Sequence, residues 1–296
     1  MGFVPVVQGV PGVEDVLVRT SRRLSTTTTL VLAPPLERPE RPESPERSAS
    51  ARARAALLVD PAWEPDELRA IGDEVRARGA RLVAGFSTHA HHDHLLWHPR
   101  LGLDVPRWAT PRAAAVARRY RRRLLDEARS DALRYGGAGH PPEVLDLLGL
   151  VRPLPTDAPG VPDPDGALPP TEVVAHDGHA PGHGAVWLPR SRVLLAGDVL
   201  SDVELPLPRD EITGGRGGTR DVEDLLAGLD KLAPYVARCA ALVPGHGTPT
   251  SDAAARLDAD RRYLEAVLAG RPAEDERLAL PGMAEEDVRL RADVAR

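Results

Sequence analysis

Apolar and polar positions alternate through residues 2–33, and that stretch closes on Thr26-Thr27-Thr28-Thr29-Leu30-Val31-Leu32-Ala33. A β-branched run of this kind predicts a strand. A second apolar run of strand length, Ala55-Ala56-Leu57-Leu58-Val59, ends in Asp60. Leu68, Ile71 and Val75 are then spaced by three and four, which predicts a helix over 65–80 with Gly79 at its stop. Arg81-Leu82-Val83-Ala84-Gly85-Phe86 reads as a buried strand, so 55–86 is a strand–helix–strand α/β unit. Residues 111–150 are mostly helical in pattern. Short strands follow at 172–176, 185–188 and 192–196, the last two joined by a Pro189-Arg190-Ser191 turn. A helix at 221–233, a strand at 240–243 and a helix at 252–269 complete one domain over 1–270. Residues 271–296 are acidic and predict a loose tail. Between the strands, 34–53 is rich in Pro, Glu and Arg and poor in large apolar side chains, which predicts a disordered insertion.

Composition narrows the class without naming a chemistry. A chain of 296 residues with 42% hydrophobic content can bury a proper core. Its 38 Lys+Arg against 44 Asp+Glu leave a net charge of -6, and no basic cluster points to nucleic acid. No apolar run approaches the ~18–20 residues of a membrane-spanning helix. The first residues lack a basic segment ahead of an apolar one, so a cytoplasmic protein is expected. Cys239 is the only cysteine, which excludes an internal disulfide framework and any multi-cysteine zinc site. The Arg118–Arg123 cluster reads as a solvated helix face, with a site for an anionic substrate group as its alternative.

The histidines carry the chemistry. Four of the 10 lie in His89-Ala90-His91-His92-Asp93-His94, directly after the strand at 81–86. His89 and His91 share a direction in an extended segment, while Asp93 and His94 fall where the chain turns into a helix. Packing so many imidazoles beside a carboxylate is costly unless a cation neutralises them, so the hexapeptide reads as two half-sites for divalent metal. Three later elements fit the same picture. Ala180-Pro181-Gly182-His183-Gly184 and Val243-Pro244-Gly245-His246-Gly247 each present a histidine on a glycine-flanked turn, and Leu194-Leu195-Ala196-Gly197-Asp198 ends a strand in a carboxylate.

In these residues the sequence resembles the metallo-β-lactamase-fold hydrolase superfamily. The family's T-H-x-H-x-D-H motif is met by Thr88-His89-Ala90-His91-His92-Asp93-His94, and its later single-ligand motifs by His183, Asp198 and His246. The resemblance implies an αββα four-layer sandwich, two mixed β-sheets with flanking helices and metals at one edge. It implies that His89, His91 and His183 hold a first metal, that Asp93, His94 and His246 hold a second, and that Asp198 bridges them. Asp60, Thr88 and His179 fall in supporting positions behind the ligands, and His92, His98, His140 and His176 are left to the surface or that outer layer. The cofactors implied are two divalent ions, zinc first, with iron or manganese as alternatives. Their shared hydroxide would attack a small acyl-type substrate, an ester, thioester or lactone, with Asp93 and Asp198 as the catalytic carboxylates. An iron-dependent redox member of the fold, persulfide dioxygenase-like or diiron, is the other reading. The bridging Asp198 departs from the lactam-cleaving enzymes, and Ser201 stands where acyl-homoserine lactonases carry a tyrosine. The helical segment 108–150 is expected to form a lid over a mostly apolar pocket. Oligomeric state and the exact substrate are open.

Overall fold

The computed structural model describes residues 2–34, 53–61, 63–136, 139–163, 166–208, 212–214 and 218–296. Apart from its two end residues, the segment expected as a disordered insertion lies outside the described residues. Strands β1 (Val4–Val7), β2 (Asp15–Thr20), β3 (Thr27–Leu32), β4 (Arg54–Val59), β5 (Ala80–Phe86), β6 (Arg107–Ala109) and β7 (Arg152–Pro153) form a seven-stranded sheet in chain order. Pairing is antiparallel from β1 to β4 and parallel from β4 to β7. The second, four-stranded sheet runs β11 (Ala241–Pro244), β10 (Val193–Gly197), β9 (His183–Leu188), β8 (Glu172–His176), with only β10 and β11 parallel.

Period-two alternation assigns each strand face to a layer. Val16, Val18, Val31, Leu57 and Val59 meet Val186, Leu188, Val193, Leu195 and Val243 of the other sheet. The alternate residues Leu17, Leu30, Leu32, Ala56 and Leu58 pack on Ile71 and Val75 of α1 (Pro65–Ala77). On the far side, Ala185, Trp187, Leu194 and Leu242 pack on Leu225 and Leu229 of α6 (Thr219–Val236) and Leu257 and Leu264 of α7 (Ala253–Leu268). Helix, sheet, sheet and helix therefore stack in four layers, as the sequence implied.

The helical segment breaks at Tyr120 into α3 (Pro111–Arg119) and α4 (Arg121–Arg134), followed by the short α5 (Pro142–Leu145). Val116, Leu124, Ala128, Val144 and Leu148 pack it on Leu95 and Leu96, beside the histidine hexapeptide. Arg121 donates to the carbonyls of Leu145, Asp146 and Leu148, and Arg123 to that of Ile212. Arg118, Arg119 and Arg122 are exposed, so two arginines of the cluster tie the segment down and the other three face solvent.

The loose tail is not observed. Residues 283–294 form α8 (Met283–Val294), and Leu290, 4% exposed, joins the core built on α6 and α7. Tyr263 of α7 donates to Asp287, and the buried Arg277 pairs with Asp260. Acidic composition hid an amphipathic helix whose apolar side is only a few residues wide. Among the described residues no helix is long and apolar enough to cross a membrane.

Candidate metal centre

Parallel pairing places the ends of β4 and β5 side by side, and those of β10 and β11 likewise, so the residues leaving these strands share one edge of the sandwich. Asp60 follows β4 with a left-handed φ of 47°. Its carboxylate accepts from the Thr88 amide at 2.8 Å and the Thr88 hydroxyl at 2.7 Å, and lies 3.1 Å from His94 Nδ1. The Thr88 hydroxyl is in turn 3.0 Å from His89 Nδ1. Asp60 and Thr88 thus back two rings at once and fix which nitrogen each ring turns outward. One turn of helix, α2 (His92–Leu95), then carries Asp93 and His94. His92 turns away and accepts from Trp63 Nε1 at 2.8 Å.

Donor atoms converge in two groups that meet at Asp198. His89 Nε2 lies 2.9 Å from His91 Nδ1 and 3.4 Å from Asp198 Oδ2, and His179 Nε2 lies 3.3 Å from His91 Nδ1 and 3.6 Å from Asp198 Oδ2. On the other side, His94 Nε2 and His246 Nε2 are 3.3 Å apart. Asp93 Oδ2 is 3.4 Å from the first and 3.2 Å from the second, while Asp198 Oδ1 is 3.2 Å from His94 Nε2. The backbone is built around this carboxylate. A side chain on Gly245 would collide with Asp198 Oδ1, and Gly197, at φ 64°, leaves no room for a Cβ beside His183.

His183 is not in either group, contrary to the sequence assignment, and His179 stands in its place. His183 Nε2 accepts from the Asp198 amide at 3.1 Å, so its ring braces the carboxylate's backbone from behind. His176, its cross-strand partner, stacks on it at 4.5 Å. The other expected ligands, His89, His91, Asp93, His94, Asp198 and His246, are brought together. Sequence reading missed Glu204, whose carboxylate is 3.6 Å from His246 Nδ1 and completes a third grouping with Asp198 and His246. Nothing in its local pattern, Asp-Val-Glu-Leu-Pro, distinguishes it from a loop acid.

Burial drives the His89 pKa well below its ordinary value against the pull of Asp198, and lowers that of His179 to about 4. Burial also disfavours charge on His94 and His246, but the surrounding carboxylates outweigh it and push both well above the usual range. Asp93 and Asp198 are held well below theirs, chiefly by His94 against the cost of burial. Neutral imidazoles and ionised carboxylates are the donor forms a divalent cation takes, so His89, His179, Asp93 and Asp198 stand ready, whereas His94 and His246 would give up a proton to a cation. Within each group the ligand atoms lie within 4.8 Å of one another, about twice a metal–ligand bond of ~2.0–2.3 Å. Asp198 Oδ1 is buried and makes no hydrogen bond. A cation fits this set.

The sequence matches the metallo-β-lactamase superfamily over residues 52–246, and the chain belongs to that superfamily. Among solved structures, a metallo-β-lactamase family protein of Thermus thermophilus is 21% identical over 96% of this chain and 92% of that one, with a TM-score of 0.58. A β-lactamase domain protein of Burkholderia ambifaria is 19% identical over 89% of this chain and 74% of its own, with a TM-score of 0.56. At these identities the likeness is one of fold. No curated protein sequence matches the chain.

Proposed function

We propose that the chain is a metal-dependent hydrolase with a dinuclear centre. His89, His91 and His179 hold one cation, Asp93, His94 and His246 the other, and Asp198 is shared between them. The observation that carries this reading is the convergence of five imidazoles with Asp93 and Asp198, buried or half-buried, in which His89, His91, His179 and Asp198 form one group and Asp93, His94 and His246 another. Divalent cations held there would supply Lewis acidity towards a carbonyl oxygen and an acidified water, of pKa about 7, as nucleophile. Asp60, Thr88 and His183 fix the ligands in advance, which removes reorganisation from the reaction. Asp93 keeps part of its carboxylate towards the cleft, where it can take a proton from the nucleophile and return it to the leaving group.

The cleft above these residues holds about 260 Å³, room for a medium-sized organic molecule. Leu24, Leu207 and Ile212 give it apolar contacts, but Glu127 and Asp131 of α4, Glu204, and Glu286 of α8 give it more carboxylate than the apolar lining expected from the sequence. No arginine or lysine lines it among the described residues. That supports a neutral acyl-type substrate, an ester, thioester or lactone, over a phosphodiester, with α4 as one wall of a lid. The test is a panel of those four substrate classes on zinc-loaded protein, with metal counted per chain in protein purified without added metal. Hydrolysis of an acyl substrate with two zinc per chain, lost more than a hundredfold in Asp93→Ala, is expected. Near wild-type turnover in that variant, or one iron per chain with oxygen uptake, would overturn it.

A further inference from the structure

The chain beyond the superfamily match contributes to the turn that leaves the metal centre. Residues 198–204 run from Asp198 to Glu204 and have few partners of their own in either sheet. Leu200 sits at φ 61°, a left-handed conformation a leucine adopts only when its surroundings impose it. What imposes it comes from the C-terminal segment. Leu200 N donates to Asp260 Oδ2 of α7 at 2.8 Å. Arg277 Nη1 donates to Ser201 O at 2.9 Å, to Glu204 O at 3.0 Å and to Asp260 Oδ1 at 2.6 Å. Asp275 holds the other edge of the same guanidinium, with Arg277 Nε and Nη2 donating to its two oxygens at 2.9 and 2.8 Å. Arg277 is 6% exposed and Asp260 is fully buried.

The chemistry of this arrangement is specific to arginine. One planar group offers fixed donors to two main-chain carbonyls and two carboxylates, and no other side chain presents that fork. The Ser201 hydroxyl, inside the held turn, donates to His246 O at 2.8 Å and accepts from the amides of Val203 and Glu204. The clamp therefore reaches the backbone of one proposed ligand, His246, and follows directly on another, Asp198.

We infer that Arg277 is a positioning residue for the metal centre, fixing the 198–204 turn so that Asp198, Glu204 and His246 keep their places. The part concerning metal rests on the proposed dinuclear reading; the part concerning the turn does not. Arg277→Lys keeps the charge and loses the fork, and Asp275→Asn loosens the guanidinium while leaving it present. Both are made in the full chain and compared with wild type in two measurements. Amide hydrogen exchange reports the turn directly. In Arg277→Lys, peptides spanning 199–205 should exchange at least tenfold faster, with peptides of β4 and β5 within twofold of wild type. Titration with Co²⁺, followed by its visible absorption, should show at least tenfold weaker binding, the loss typical of an outer partner of a metal ligand. Asp275→Asn should show the same pattern to a smaller degree, and decides the matter alone if Arg277→Lys does not fold. Unchanged exchange at 199–205 in both variants overturns the inference. So does faster exchange with unchanged Co²⁺ binding, because Arg277 would then only pack the tail. Wild-type protein that binds no Co²⁺ sinks the metal reading itself, an outcome distinct from wild-type binding that the variants leave intact.

Discussion

His179 and His183 stand four residues apart on either side of one turn, and they do different work. His179 points a nitrogen at His91 and Asp198, whereas His183 holds the main-chain amide of Asp198. Their removal should therefore fail differently. His179→Ala should lower bound metal from two ions per chain to one. His183→Ala should keep two at saturating metal, with affinity about 10–100-fold weaker, and should cost about 1–3 kcal/mol for the amide left without an acceptor. Metal analysis beside chemical denaturation checks both, and loss of one ion in His183→Ala would restore the assignment made from sequence. A signal for the different places of the two rings was present in the strand pattern. His183, Ala185 and Trp187 share one face by period two, the face by which Ala185 and Trp187 join the core built on α6, and the His183 ring stacks behind that of His89 at 5.1 Å. Motif spacing outweighed it, because both histidines sit beside the same Pro-Gly turn. By contrast His89, His91, Asp93 and His94 were legible at once, since so short a run leaves the chain no other use for them. Asp202, two residues before Glu204, gives a pH test away from the ligands. It accepts from the Thr248 amide at 2.9 Å and pairs with Arg256 at 3.1 Å, bracing the turn after His246. Burial opposes its charge, but these partners lower its pKa to about 2. A depressed carboxylate stabilises the fold above its unfolded value of ~3.9 and loses that contribution as pH falls through its folded value. The difference in urea midpoint between wild type and Asp202→Asn should thus be constant from pH 7 to 5 and shrink between pH 4 and 2. A difference that grew on acidification would be the wrong sign.

Elements with a continuous or clearly periodic apolar pattern announced themselves, and those defined by their partners did not. β4, β5, β10 and β11 are continuous apolar runs, and the α1 stripe has clear helical spacing, so their places were readable to within three residues. β6 and β7 have three and two residues and exist only because β5 offers a free edge. α8 was hidden for a similar reason, its stability coming from Leu290 and Met283 against α7 rather than from local pattern. The segment between β3 and β4 tests how far local sequence can be cut without cost. These strands pair antiparallel up to Leu32 opposite Ala56, and Ala33 N still donates to Ala55 O at 2.9 Å. The two ends are already adjacent, so residues 35–52 bridge a gap that a tight hairpin turn spans. Loop-closure cost grows only with the logarithm of length. Replacing 35–52 by an Asn-Gly turn with a flanking residue on each side should leave the melting temperature within a few degrees and metal content unchanged. A drop of ten degrees or more would mean that the segment contacts the body of the protein.

The two sheets meet at their shared edge in the proposed ligands. His89, His91, Asp93 and His94 leave the seven-stranded sheet, whereas His179, Asp198 and His246 leave the four-stranded one, so each proposed cation takes donors from both. Each group is complete only when the sheets are docked, and the separated chain offers nothing equivalent. Binding to the folded state alone stabilises it by RT ln(1 + [L]/Kd), about 4 kcal/mol when free metal stands a thousandfold above Kd. At about 2–4 °C per kcal/mol for a domain of this size, and about 4 kcal/mol for each of the two proposed ions, stripping the metal should lower the melting temperature by roughly 20 °C. The stripped protein should still fold. The apolar layer between the sheets does not depend on metal, and His94 and His246, pushed towards their charged forms by the carboxylates around them, offset part of the negative charge. Asp198 belongs to both groups of the proposed centre and Asp93 to one. Asp198→Asn should therefore remove most of the metal-dependent rise in melting temperature, and Asp93→Asn about half of it. The measurement is a thermal melt of each variant with zinc and with chelator. Equal melting with and without chelator, in wild-type protein first shown to carry two ions, would mean that the metals do not bridge the sheets and that the two groups are filled independently of docking.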